Sequence, residues 1–150
     1  MMRGFETTGR VVNALRAARA EAMRLDCGCV SPEFLLLGIL AEEQTTGARV
    51  LVSLGATREV VTHEVEKQIG RLPRYETTFG GMLPYTSAAK RALQGAMDAA
   101  SDLGHPIVDT EHLLLGILRD DQSDTARMLG EYEVTNDRVR AEIERLRSTS

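Results

Sequence analysis

The sequence has no tryptophan and only three tyrosines and three phenylalanines among its 150 residues, so any core it builds is aliphatic, drawn from Leu, Val, Ile and Ala. Basic charge is short as well. Eighteen Lys and Arg stand against 22 Asp and Glu, a net charge of -4, which leaves no basic footprint for nucleic acid and no polybasic patch for an anionic membrane. Long apolar runs are missing: Phe34-Leu35-Leu36-Leu37-Gly38-Ile39-Leu40 is among the longest, far short of the roughly 18 residues of a membrane span. The first residues, Met1 to Thr8, carry neither the apolar stretch nor the cleavage site of a secretion signal, and the expected location is cytoplasmic. Cys27 and Cys29 sit too close for a disulfide and lack the second pair of a zinc site. They read as ordinary thiols near a helix end.

Catalytic signatures are absent too. His63-Glu64 is not followed by the second histidine of a zinc-protease helix. His105 and His112 have no cysteine near them to complete a metal site. Ser87, Ser101 and Ser123 lack the G-x-S-x-G setting of an activated nucleophile. Gly80-Gly81 lacks the rest of a phosphate loop. The expectation is a protein that is not an enzyme and uses no cofactor or metal.

What the sequence does contain is a copy of itself. Sliding the chain by 78 residues lays Leu25 to Leu40, LDCGCVSPEFLLLGIL, on Leu103 to Leu118, LGHPIVDTEHLLLGIL. About 22 of the 62 positions from Thr8 to Ile69 are identical to their counterparts from Thr86 to Arg147, where ordinary residue usage would give about four by chance. The chain is a tandem duplication: repeat one 5–70, a Gly- and Pro-bearing linker 71–84, and repeat two 85–147.

Each repeat reads as four helices. Thr8 is a candidate N-cap, and Val11, Leu15, Ala18, Ala22 and Leu25 follow at the three- and four-residue spacing of one helical face. Ser31-Pro32-Glu33 has the hydroxyl, the proline and the acid that suit a helix start. A third helix is expected from about Thr46 to Gly55 and a fourth from Thr57 through Ile69, while Thr86, Asp109, Asp124 and Thr135 take the matching starts in repeat two. No stretch shows sustained two-residue alternation. The expected fold is all-α, with eight helices in two four-helix repeats packed about a pseudo-twofold axis so that 1–150 forms a single domain. Glu33 and Glu111 then place a carboxylate at equivalent helix starts, where the macrodipole alone already favours an acid. The charged face of the last helix, with Arg138, Arg140, Arg145 and Arg147 between glutamates, reads as solvated.

The tandem E-[FH]-L-L-L-G-I-L motif, with Ala48-Arg49-Val50-Leu51 and Asp109-Thr110-Glu111-His112 in frame, resembles the N-terminal Clp repeat domain of the Clp/Hsp100 AAA+ unfoldases, most closely the ClpC type. The resemblance implies a docking module for adaptor proteins and protein substrates of a Clp unfoldase, and for the unfoldase itself if the chain stands alone. A free-standing adaptor, a decoy or a small-ligand sensor is the alternative. It also implies two phosphoarginine sites, in which a carboxylate takes the guanidinium while hydroxyls and backbone N–H groups hold the phosphate. By position, one would join Glu33 with Thr8, Val30 and Ser31. The other would join Glu111 with Thr86, Val108 and Thr110, with Lys90 as a phosphate cation. Pro32 in place of a hydroxyl and Ala88 in place of the family's frequent arginine are departures; Thr110 keeps the hydroxyl in repeat two, and the Glu111 site is the better match.

Overall fold

A computed structural model of the chain describes residues 6–71 and 83–148; most of the expected linker, 72–82, lies outside the described residues. The eight helices expected are present among them. Repeat one holds α1 (Gly9–Arg24), α2 (Pro32–Ala41), α3 (Thr46–Ser53) and α4 (Arg58–Lys67), and repeat two holds α5 (Ser87–Asp102), α6 (Thr110–Arg119), α7 (Asp124–Glu131) and α8 (Asn136–Ser148). Hydroxyl caps set most of the starts: Thr8, Thr45, Thr57, Thr86 and Ser123 each accept the amide three residues on. Ile69 falls in a 3-10 turn, Ile69–Arg71, beyond the end of α4.

The duplicated glycine explains how the repeats pack. A Cβ at Gly38 would lie 2.1 Å from the Ala14 carbonyl oxygen, and one at Gly116 would lie 2.2 Å from that of Ala92. Both helix pairs, α1 with α2 and α5 with α6, therefore cross with backbones touching, on small residues that include Ala18 and Ala96. The Leu-rich faces of α2 and α6 then fall into one apolar cluster that draws on both repeats, including Phe34, Leu36, Ile39, Leu51, Leu93, Leu114, Ile117 and Leu129.

The repeats are also joined by equivalent polar contacts. Glu64 of α4 accepts from the Tyr132 hydroxyl at 2.8 Å, after α7. Its counterpart in α8, Glu142, accepts from Ser53 at the end of α3. Lys67 and Arg145, again equivalent, pair with these glutamates from one turn on. The Arg145 and Ser53 hydrogen bonds hold the Glu142 carboxyl down at about 2.

One element has no counterpart in the reading of the sequence. Two short strands, β1 (Glu6–Thr7) and β2 (Ile107–Val108), pair in parallel, and Val30 forms an isolated parallel bridge with Tyr85. These are the same contact twice, related by the repeat offset. The segment leading into the first helix of each repeat lies along the loop before the second helix of the other repeat.

Candidate functional site

That exchange decides which residues meet. The Thr8 amide donates to the Val108 carbonyl at 3.1 Å, and the Thr86 amide to the Val30 carbonyl at 3.0 Å. Each candidate site thus takes one wall from each repeat.

The first site lies where α1 and α6 begin. Asp109 caps α6, and its carboxylate accepts from the Thr110 amide at 2.8 Å, from the Thr8 hydroxyl at 3.1 Å and from Arg10, whose Nη2 is 2.7 Å from Oδ2. Burial pushes this carboxyl up, but the Arg10 and Thr110 hydrogen bonds outweigh it and hold Asp109 below its usual range. The Asp109 amide in turn donates to His112 Nδ1 at 2.8 Å, closing a capping box in which histidine stands for the usual glutamate or glutamine. With Nδ1 accepting, the His112 proton sits on Nε2, and it donates to His105 Nδ1, 2.8 Å away. His112 is fully buried, and burial, reinforced by His105, pulls its pKa down to about 4. It is a neutral hydrogen-bond relay at ordinary pH.

Glu111 follows in the first turn of α6 and is 3% exposed. Burial raises its carboxyl above the ordinary range, its own backbone amide opposes the shift, and Asp109 adds to it before Arg147 pulls back. Arg147 Nη2, from the last turn of α8, is 3.5 Å from Glu111 Oε2. Glu111 Oε1 is buried with no hydrogen-bond partner among the described residues. Thr110 is buried beside it and accepts the Gly47 amide at 2.9 Å, which fixes α3 against the start of α6.

The second site lies where α5 and α2 begin. Val30 donates to the Pro84 carbonyl at 2.8 Å while its own carbonyl takes the Thr86 amide. The Thr86 Oγ accepts the Ala89 amide at 3.1 Å. Ser31 occupies the cap position of α2 but makes no cap hydrogen bond, and its buried Oγ has no partner among the described residues. Glu33 is buried. Arg19 stacks over the Tyr85 ring at 4.7 Å on one side of this junction. Burial, followed by the neighbouring Cys27 and Glu33, pushes the Cys29 thiol up to about 11.

The Clp repeat (R) N-terminal domain family model matches residues 6–132 and, a second time, 84–148. The chain belongs to this family. It is 37% identical over 136 residues to the ATP-dependent Clp protease ATP-binding subunit ClpC of Staphylococcus epidermidis, covering 91% of this chain and 16% of that protein. The ClpC of Staphylococcus aureus is 36% identical over the same coverage. The chain thus spans about 16% of the length of these relatives. In fold it is similar to the N-terminal domain of ClpD from Arabidopsis thaliana, with a TM-score of 0.73 at 19% identity, covering 98% of this chain and 97% of that one. The Hsp104 N-terminal domain from Candida albicans gives a TM-score of 0.72 at 13% identity, covering 97% and 93%.

Within this Clp repeat domain the strand exchange groups the expected residues differently from the expectation. Thr8 stands with Val108, Thr110 and Glu111, and Thr86 stands with Val30, Ser31 and Glu33. The expectation that each threonine serves the carboxylate of its own repeat is corrected by the strand exchange. Lys90 is corrected with it. Its neighbour Arg91 lies 3.5 Å from Asp120, just past the C-terminal end of α6. Glu111 is at the other end of that ten-residue helix, about 15 Å away. Lys90 belongs to the Thr86 side. The cations on the Glu111 side are Arg147, 3.5 Å from Glu111, and Arg10, which pairs with Asp109 and which two residues of spacing from Thr8 did not reveal. Ala88, its counterpart, is the departure that thins out the Glu33 site, not the Glu111 site. Asp109, read only as a helix start, and Arg147, read as part of a solvated face, were the other residues missed.

Proposed function

We propose that this Clp repeat domain is a docking module of a Clp-type unfoldase system, without catalysis of its own, that receives adaptor proteins and protein substrates, and that its Glu111 site recognises phosphoarginine. The observation that carries the reading is Glu111 itself. A buried carboxylate with one oxygen lacking a hydrogen-bond partner among the described residues is a costly arrangement unless a ligand completes it. A guanidinium fork is the group that does so in two parallel bonds. The guanidinium of Arg147, 3.5 Å from Glu111, and that of Arg10, paired with Asp109, bring positive charge to the start of α6, which suits an attached phosphate. The Glu33 site keeps the carboxylate and the buried Ser31 hydroxyl but has alanine at the arginine position, and it is the weaker of the two.

Calorimetry with phosphoarginine tests this. The wild-type chain should bind at micromolar to low millimolar ligand. Glu111→Ala and Glu111→Gln should abolish most of the heat, and Glu33→Ala should remove a smaller part. Silence of the wild type at millimolar ligand, or binding indifferent to Glu111, overturns the reading. Affinity capture from the native cytosol checks the partner class: recovery of a Clp unfoldase, its adaptors or its substrates is expected.

A further inference from the structure

Arg147 breaks the symmetry of the two sites. The offset that carries Glu111 onto Glu33 carries Arg147 onto Ile69, so the arginine is a feature of the Glu111 site alone. Its Nη2 is 3.5 Å from Glu111 Oε2 and 3.3 Å from His105 Nδ1, the nitrogen that the His112 ring also faces. A well-formed guanidinium–carboxylate pair makes a two-bond fork at about 2.7–2.9 Å. The contact to Glu111 is longer than that, and it leaves Oε1 unpartnered among the described residues. Arg147 is half exposed and sits at the last turn of α8, one residue from its end, where a helix gives way at little cost.

We propose that Arg147 is the resting occupant of the Glu111 carboxylate and that it sets the site's preference for a guanidinium bearing an anion over a plain one. The inference rests on the docking reading given above. An arriving guanidinium takes Glu111 by displacing Arg147. A plain arginine side chain exchanges one cation for another at Glu111 and brings no anion of its own to Arg147. A phosphorylated guanidinium brings its own anion, and the displaced Arg147 turns to it. The same side chain therefore opposes one ligand and supports the other. Arg10 does not serve this purpose, because its guanidinium is held by both oxygens of Asp109.

The test is calorimetry on the full chain with two probes, phosphoarginine and N-acetyl-arginine amide, for wild type, Arg147→Ala and Arg147→Gln. Both variants are expected to bind the plain arginine about threefold tighter, since the competing state is gone, and phosphoarginine about threefold weaker, so that the ratio of the two affinities falls about tenfold. A purely structural role for Arg147 would move both ligands in one direction. If phosphoarginine binds and the ratio is unchanged in both variants, the role of Arg147 is overturned while the docking reading stands. If neither probe binds to any of the three proteins, both fall together.

Discussion

Thr8 and Asp109 cap helices in opposite repeats, and they bind each other: the Thr8 hydroxyl lies 3.1 Å from Asp109 Oδ1. Asp109 also carries the Arg10 pair and the Thr110 amide. Replacing it with alanine removes a cap and the cross-repeat bonds to Thr8 and Arg10 at once. Asp109→Ala should lower stability by about 2 kcal/mol, the upper range for a cap, in urea unfolding followed by circular dichroism. Arg10→Ala, which deletes only a largely exposed partner, should cost less than about 1 kcal/mol. The reverse order would mean that the ion pair, not the cap, holds the repeats together here.

The crossing at Gly116 gives a second test. A methyl group there meets the Ala92 carbonyl and the Ala96 amide, both backbone atoms that cannot step aside. Gly116→Ala should destabilise by about 3 kcal/mol, at the upper end for overpacking, and Gly38→Ala should behave alike. Gly130 of α7 has open space around it. Gly130→Ala should be neutral or up to about 1 kcal/mol stabilising through helix propensity. Equal effects at Gly116 and Gly130 would contradict the close crossing.

Thr110 is buried and accepts the Gly47 amide. Thr110→Val keeps the shape and leaves that donor unmet, at an expected cost of about 1–3 kcal/mol. Amide hydrogen exchange at Gly47 should accelerate relative to its neighbours in α3. Unchanged protection would show that the hydroxyl is dispensable.

Some of this was legible in the sequence. The repeat offset exposes both Leu-rich helices, both carboxylates and both threonine caps, because each rests on local spacing or on identity between copies. The grouping of the sites was not. A two-residue strand such as Glu6–Thr7 has no alternation to read, and two copies in the same frame invite the inference that each threonine serves its own repeat. Arg147 was hidden differently. Among alternating arginines and glutamates nothing local marks the one that reaches inward, since its reach depends on where α8 comes to rest against α6.

His112 supplies a pH dependence. In the unfolded chain its ring takes a proton near 6.5, but in the folded domain not until about 4. Between those values the unfolded state holds more protons, so stability falls as pH drops from 6.5 towards 4, by at most about 3 kcal/mol. Glu111 works in the opposite sense, because a carboxyl raised by burial takes its proton earlier in the folded state and returns part of the loss. Asp109, held low, adds its own loss only at more acidic pH. Thermal melts of wild type against His112→Phe, which copies Phe34 at the equivalent position, isolate the term. The variant gives up the bond from the Asp109 amide and the bond to His105 at every pH, and should show a flatter slope between 6.5 and 4.5. Parallel slopes would mean that His112 already accepts its proton in the folded state.

The strand exchange makes this chain resemble an isologous dimer whose two subunits have been tied end to end. In a true dimer the sites would be obliged to match, because every substitution would appear in both. Once joined, the two copies are released from that obligation: Arg10 and Asp109 on one side face Ala88 and Ser31 on the other, and Arg147 faces Ile69. Covalent fusion is what permits one molecule to hold a well-furnished site and a sparse one on the same frame.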